Sequence, residues 1–356
     1  MKRVLILTVT AGNAHNACAN VMKRRLESIG GCEVKIINIM DSFSDKVKAW
    51  ISTDGYLFAV GKFPGVYNAF FNKFAKRSPS RRYTVPSQET VLSMTEGLLK
   101  EIIDFKPDVI YSTQFYGSML ITDLKLIYSL PFKSITSTLD YYIAPFWESG
   151  IGVDYFTIAN DEFISDCIFK GYTREQILPW GIPVDERTLE ITDKRAAKRS
   201  LGLDDDVFTA MVIFGGGYWD GGFKIFKDLV KALKGRKAQI IMINGKNKKS
   251  YKKVASMKLP EGIKVLNVGF TSDVPLYLSA ADVILDKAGG SSVTEIINKG
   301  VPMLVTEKLV MQEKHNLEYL KEKGVAMSFK DARTLKEKIL RLYDNPDLRK
   351  EMAART

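Results

Sequence analysis

Cysteine and histidine are scarce in this chain, and long apolar runs are missing. Only Cys18, Cys32 and Cys167 occur in 356 residues. No two of them form a C-x-x-C pair, so neither a disulfide framework nor a structural zinc site has enough ligands. A reducing, cytoplasmic setting fits that usage. The longest apolar stretches, such as Val4–Val9 and Val301–Val305, are strand-length, far short of the roughly 20 residues that a membrane-crossing helix requires. Lys2 and Arg3 precede an apolar run, but no h-region or A-x-A-like site follows to mark a secretory signal. With His15 and His315 the only histidines, few groups titrate near neutrality without help.

Positive charge and apolar side chains are plentiful. The 52 Lys and Arg against 41 Asp and Glu give a net charge of +11, and 46% of the residues are hydrophobic. That composition excludes a disordered or fibrous chain, and the length predicts two domains at roughly 100–200 residues each. Short apolar runs alternate with amphipathic helical stretches, the pattern of βαβ units and a mostly parallel sheet, hence an α/β fold. The first unit reads as strand Arg3–Val9, a loop at Thr10–His15, a helix over Asn16–Ile29 and strand Glu33–Ile39. Strands follow at Val109–Thr113, Lys133–Thr138 and Tyr155–Ala159.

A Pro/Gly punctuation at Trp180-Gly-Ile-Pro-Val-Asp185 and a charged stretch, Asp193–Leu203, place the domain linker there, giving domains 1–180 and 181–337. The second half repeats the theme. Strands are predicted at Phe208–Phe214, Gln239–Asn244, Ile263–Val268, Val283–Asp286 and Met303–Val305, with helices at Phe223–Leu233, Val274–Ala281 and Ser292–Lys299. Ligands of such sheets sit at the carboxyl ends of the strands, so a cleft between the two doubly wound domains is the expected site.

The strongest local signal is Asp286-Lys-Ala-Gly-Gly-Ser-Ser-Val-Thr-Glu295. A strand ends, Gly289 and Gly290 admit close backbone approach, and Ser291 and Ser292 open a helix whose N–H groups favour a phosphate. Glu295, one turn on, can accept hydrogen bonds from ribose hydroxyls; a ligand-free capping box, Ser292-x-x-Glu295, is the alternative. A second glycine loop, from Gly215 and Gly216 to Gly222, lies at the same sheet edge, and two such loops can hold a diphosphate. Gln312, Glu313 and Asn316 follow the next strand, where they either read sugar hydroxyls or start a polar helix. In the first domain His15 occupies the first strand-to-helix turn, placed to act as a general base on an acceptor hydroxyl; polar surface is the alternative. Asp140 either orients that base, binds substrate or caps a turn.

Residues 55–88 contain no Asp or Glu. At 100° per residue Tyr67, Phe70, Phe71 and Phe74 share one helical face, with Lys73 and Lys76 away from it and Arg77, Arg81 and Arg82 following. That is the composition of a helix lying in an anionic membrane interface. Core packing and nucleic-acid stacking are the alternatives, and aromatics confined to one face suit lipid better than scattered stacking platforms. The lysine run Lys246–Lys253 reads as a solvated loop. Asp204-Asp-Asp206 nominally contains a D-x-D metal motif but lies in a charged linker, where a turn is expected.

Taken together, these residues resemble the GT-B glycosyltransferases of the monogalactosyldiacylglycerol synthase and processive diacylglycerol glucosyltransferase family, more distantly related to the peptidoglycan N-acetylglucosaminyltransferase. The resemblance covers nearly the whole chain and rests on Gly12-Asn-Ala-His15, Thr138-Leu-Asp140, Trp147, Gly181-Ile-Pro-Val184, Gly269-Phe270, Ala281–Glu295, Gly300-Val-Pro-Met303 and Gln312-Glu313 with Asn316. It departs from the family at Gly12-Asn-Ala-His15, where Gly-Gly-Gly-His is usual, at Lys287-Ala-Gly-Gly290, where Lys-Pro-Gly-Gly is usual, and at Leu139, which splits a Thr-Asp pair.

The resemblance implies two Rossmann-like domains facing a cleft, with a UDP-sugar bound by the second: Gly215, Gly216 and Gly289–Ser292 at the diphosphate, Glu295 at the ribose, Gln312 and Glu313 at the hexose. It implies diacylglycerol and an anionic membrane surface as partners of the first domain, with His15 and Trp147 on the acceptor side, no metal or other cofactor, and residence on the inner face of the cell membrane. By analogy with such folds, a C-terminal helix, 338–356, is a candidate to cross back onto the first domain. Two other functions fit the same residues: transfer of an N-acetylated hexosamine to a polyprenyl-linked precursor, and a non-catalytic, membrane-docked UDP-sugar sensor. No specific nucleic acid is expected.

Overall fold

The computed structural model describes residues 1–9, 14–42, 88–214 and 221–356. They form two compact units, Met1–Val184 and Asp185–Thr356. The division falls four residues beyond the expected boundary, because the Pro/Gly segment still packs on the first sheet. Gly181 N–H donates to Ile158 O (3.0 Å) and Ile182 is buried, whereas Asp185 caps a short turn and pairs with Arg187, whose guanidinium reaches Asp273.

The first unit holds six strands, β1 (Lys2–Thr8), β2 (Cys32–Asn38), β3 (Val109–Ser112), β4 (Lys133–Ser137), β5 (Tyr155–Thr157) and β6 (Ile177–Leu178), in the order β2-β1-β3-β4-β5-β6. Every pairing is parallel, Val4 lying opposite both Val34 and Val109. The helices are α1 (Ala14–Ile29), α2 (Gln88–Phe105), α3 (Phe115–Tyr128) and α4 (Ile164–Phe169). Leu5, Leu7 and Ile110 of the strands meet Leu98 and Ile102 of α2 and Leu120, Ile121 and Leu124 of α3 in one core. Polar strand residues satisfy one another inside the sheet: Tyr111 Oη lies 2.6 Å from Ser137 Oγ, which in turn meets Thr157 Oγ1.

The second unit opens with α5 (Lys194–Ser200) and carries β7 (Phe208–Ile213), α6 (Gly221–Ala232), β8 (Ala238–Ile243), α7 (Lys248–Ala255), β9 (Ile263–Val268), α8 (Val274–Ala280), β10 (Val283–Asp286), α9 (Gly290–Asn298), β11 (Met303–Thr306), α10 (Met311–Glu322), β12 (Ala326–Phe329), α11 (Ala332–Asp344) and α12 (Pro346–Ala353). The sheet runs β12-β11-β10-β7-β8-β9, again all parallel. The C-terminal helices belong to this unit: Leu335, Ile339, Leu342 and Met352 lie in one core with Phe208, Phe226 and Leu229. Residues 338–356, expected as a candidate to cross back onto the first domain, thus fold as part of this unit.

Two further expectations give way. The lysine run read as a loop folds into α7, because Asn247 Oδ1 accepts the Ser250 N–H (2.9 Å) and Ser250 and Val254, one turn apart, are buried. The charged stretch read as linker folds into α5, capped by Asp193. From α5 Lys198, only 3% exposed, donates to Asp282 Oδ2 (2.8 Å) and Val207 O (2.8 Å).

Burial raises the Asp282 carboxyl's pKa, but Lys194, Lys198 and the Thr209 N–H outweigh it and hold the pKa below the ordinary value. Ionised Asp282 therefore contributes stability that is present above its unfolded pKa, near 4, and lost as pH falls through the lower folded value. Asp282→Ala strands the Lys198 ammonium and is expected to cost about 3–5 kcal/mol of unfolding free energy at pH 7. Urea denaturation of the two proteins at pH 7 measures the difference.

Candidate active site

In an open parallel sheet a crevice forms where successive connections leave in opposite directions. In the first unit that point lies between β1 and β3, which pair with each other while their onward chains diverge. His15 is the second residue of α1, just beyond β1, and Thr113 directly follows β3. His15 Nδ1 lies 2.7 Å from Thr113 O. A carbonyl only accepts, so Nδ1 carries the proton and Nε2 is left with its lone pair. Half-burial pushes the imidazole below its ordinary pKa, outweighing the upward pull of the Thr113 carbonyl. His15 is thus neutral at pH 7, in the tautomer that accepts a proton at Nε2.

Asp140 lies beyond β4, the next strand along, in a turn where its N–H donates to Thr138 Oγ1 (3.3 Å). It shares the carboxyl edge of the sheet with His15. Trp147, expected on the acceptor side, is instead a core residue, 6% exposed, tilted on Phe156 (4.8 Å between ring centres) and edge-on to Phe115 (6.3 Å). Its indole is covered by those rings and cannot insert into a bilayer. Tyr67, Phe70, Phe71, Lys73, Phe74, Lys76, Arg77, Arg81 and Arg82 lie outside the described residues, as do Gly215 and Gly216.

In the second unit the corresponding crevice lies between β7 and β10. The loop after β10 turns sharply at Ala288, whose φ of +55° is a left-handed conformation that costs a non-glycine residue about 1–2 kcal/mol. Both peptide groups of that turn are held. Asp286 Oδ1 accepts the Ala288 N–H (2.6 Å), and Asn316 Nδ2, fully buried in the second turn of α10, donates to Ala288 O (2.9 Å). Ala288 replaces the proline usual in the family it resembles, and neither this φ nor this N–H is open to proline. Lys287 of the same loop forms an ion pair with Glu313 in the first turn of α10.

The turn delivers the chain into α9. Gly289 is its N-cap and offers no side-chain acceptor, so the first N–H groups, at Gly290, Ser291 and Ser292, point out of the helix end with the positive pole of its dipole. The helix opens two residues earlier than expected. Ser292 therefore stands at the third position, and the capping-box alternative falls away. Its hydroxyl is turned inward, 2.9 Å from Gly289 O and 3.2 Å from each Asp286 oxygen. Backbone amides, and not this hydroxyl, are what the helix end presents.

Glu295 is half-buried one turn further on. Burial first, then Asp185 and Asp286, raise its carboxyl to about 7. Asp286 is likewise pushed to about 7 by burial, against the pull of Lys287 and the Ala288 N–H. Glu313 accepts the Val310 N–H (3.4 Å) as well as Lys287, and Gln312 stands beside it in the first turn of α10, half-buried. Asn316 is a scaffold for the turn where a direct ligand contact was expected. Asp286 and Thr113 were not singled out from the sequence, since a strand-terminal Asp and a Thr carry no pattern that separates them from ordinary core polar groups. Among the described residues no group of three His, Cys, Asp or Glu side chains is placed to hold a metal ion.

This pair of parallel sheets is the GT-B architecture of glycosyltransferases: the MurG structure from Acinetobacter baumannii matches with a TM-score of 0.63 at 14% identity, covering 100% of this chain and 94% of that one. Residues 15–184 match the monogalactosyldiacylglycerol (MGDG) synthase family and residues 212–356 the glycosyltransferase family 28 C-terminal domain. The first unit thus belongs to the monogalactosyldiacylglycerol synthase family and the second is a family 28 glycosyltransferase C-terminal domain. The processive diacylglycerol beta-glucosyltransferase of Staphylococcus saprophyticus is 23% identical over 327 residues, 91% of this chain and 80% of its own. That of Bacillus subtilis is 22% identical over 350 residues, 97% and 88% respectively.

The turn at Ala288 generates a sharp expectation. Ala288→Pro is incompatible with both the φ and the hydrogen bond to Asp286 and should weaken UDP binding in this chain, whereas Ala288→Gly, free to take a left-handed φ, should retain it within a few-fold. Asn316→Ala leaves the Ala288 carbonyl without its buried donor, worth about 1–3 kcal/mol, and should weaken UDP binding roughly tenfold. Titration calorimetry with UDP, alongside the melting temperature of each variant, separates lost binding from lost folding.

Proposed function

We propose that this protein is an inverting glycosyltransferase that moves a hexose from a UDP-sugar to diacylglycerol, or to a glycosyldiacylglycerol, at a membrane surface. The observation that carries the reading is the bond from His15 Nδ1 to the Thr113 carbonyl, which leaves a neutral imidazole with its lone pair at the first unit's switch point. Family membership of both units and the names of the relatives support it. In the reaction Nε2 of His15 takes the proton of the acceptor hydroxyl as that oxygen bonds to the anomeric carbon. The carbon's bond to the diphosphate oxygen breaks on the opposite face, which inverts the centre, and UDP leaves with the electron pair. The N–H groups opening α9 and the glycine loop after β7 stabilise the charge that accumulates on the diphosphate.

Glu295 is assigned to the ribose hydroxyls, Gln312 and Glu313 to the hexose, and Asp140 to the acceptor side of His15. Among the described residues no helix is long and apolar enough to cross a membrane. The protein is assigned a peripheral place on the inner face of the cell membrane, where a lipid acceptor and a soluble nucleotide-sugar meet. The aromatic and basic segment around Tyr67–Arg82 would supply lipid contact for the first unit.

A panel of UDP-hexoses with diacylglycerol in anionic liposomes, followed by both UDP release and glycolipid formation, tests the reading. Glycolipid from one donor is expected; product only with a polyprenyl-linked acceptor would replace diacylglycerol, and tight UDP-sugar binding without any product would point to a sensor.

His15→Ala should lower kcat by about 10²–10⁴, and undiminished transfer would remove His15 from the mechanism. Because burial lowers the imidazole pKa, the acid limb of kcat at saturating donor should have its midpoint below pH 6.5. Glu295 ionises as pH rises through about 7, so its capacity to accept ribose hydroxyls grows. KM for the donor should accordingly fall between pH 6 and pH 8, a trend that Glu295→Gln removes.

A further inference from the structure

The positive charge of this chain is unevenly placed. Residues 185–356 contain 32 Lys and Arg against 23 Asp and Glu, so the second unit holds +9 of the net +11. Within it no Asp or Glu occurs between Asp228 and Glu261, and Lys246, Lys248, Lys249, Lys252, Lys253 and Lys258 fall within 13 residues. All six are exposed, and among the described residues none forms an ion pair. Other lysines of the same unit behave differently, Lys194, Lys198, Lys224 and Lys287 each meeting a carboxylate.

The local fold gathers these charges on one face. Ser250 and Val254 fasten α7 to the core, Ser250 Oγ donating to Asn244 Oδ1 (2.7 Å), so the remaining positions of the helix turn outward. Apolar side chains stand among the cations: Tyr251 and Leu259 are 41% and 39% exposed and Phe270 67%. Lys246 lies 5.7 Å from the centre of the Phe270 ring. A convex helical face with lysines and protruding apolar groups matches a lipid interface, where diffuse negative charge attracts ammonium groups and acyl boundaries accept apolar ones. A nucleic-acid site favours the bidentate fork of arginine on phosphate, and no Arg occurs between Arg236 and Arg333.

We infer that α7 and its flanking turns, Lys246 to Leu259, are a docking surface for an anionic lipid bilayer, which holds the nucleotide-sugar unit itself at the membrane. The inference rests on the lipid-acceptor reading for the presence of a membrane, and it adds a lipid contact to the unit that was expected only to bind the donor. The lysines act as a group of point charges, each contributing about fivefold to partition near an anionic surface.

The test is co-sedimentation of the full-length protein with vesicles of phosphatidylglycerol and phosphatidylcholine, in the absence of diacylglycerol and donor. Wild-type protein should bind these vesicles, release them as salt rises and ignore vesicles of phosphatidylcholine alone. K248E/K249E/K252E/K253E should weaken partition by on the order of a hundredfold or more. K234E/K321E/K330E/K336E, with the same change of net charge on exposed sites elsewhere in the unit, should stay within a few-fold of wild type. UDP affinity equal to wild type in both variants establishes that they are folded. Undiminished binding by the α7 variant, or equal loss in both variants, would overturn the proposal. So would single-stranded DNA that displaces the vesicles and loses its own affinity in the α7 variant alone, which would reassign the face to nucleic acid. A failure to form glycolipid would leave these results intact, since the assay contains neither substrate.

Discussion

A parallel sheet covered by helices consumes its own backbone hydrogen bonds, and it exposes polar groups to a ligand only where strands end. Everything chemical in this protein follows from that constraint. In both units the chain leaves the sheet in opposite directions from two adjacent strands, β1 and β3 in the first, β7 and β10 in the second, and there stand His15 at the start of α1, Thr113 and the turn around Ala288. The same constraint makes the inner strand β10 almost wholly apolar. Val283–Asp286 is buried throughout, and its only polar member, Asp286, is the residue that meets the loop.

Most of the architecture was legible in the sequence because apolar runs of strand length are separated by turn residues. Ile263–Val268 and Val283–Asp286 were read with their observed ends, and most of the others shifted by one or two residues. The sequence reading named no element at α2, α3, α4, α10 or β12, and three further elements escaped for identifiable reasons. β6 spans only Ile177–Leu178, too short for any periodic signal. α5 and α7 are dense in lysine, and their helical character depends on a cap and two buried positions each, a weaker signal than the charge that surrounds it.

The loops assigned to the donor were legible as strand-to-helix connections, and less so at the level of atoms. Gly289 to Glu295 does lie where a strand gives way to a helix, as the glycine-serine pattern required. That Ser292 faces inward, and that Asn316 supports a peptide carbonyl, depends on the φ of Ala288, and a single residue's backbone angle is set by contacts some thirty positions away. Trp147 illustrates the same limit: aromatic identity indicates a large apolar surface, but whether that surface meets Phe156 or a lipid is decided by the tertiary fold.

Of the two hydrogen bonds at Ala288, that to Asp286 closes the turn itself, and that from Asn316 joins the loop after β10 to the helix after β11. A ligand that engages both therefore meets one preassembled body, where otherwise two independent chains would have to be brought to heel. The configurational freedom of those loops has been surrendered during folding and is not lost again on association. Nucleotide capture by this unit should in consequence carry little of the unfavourable entropy that accompanies loop ordering, and its heat should be dominated by the polar contacts themselves.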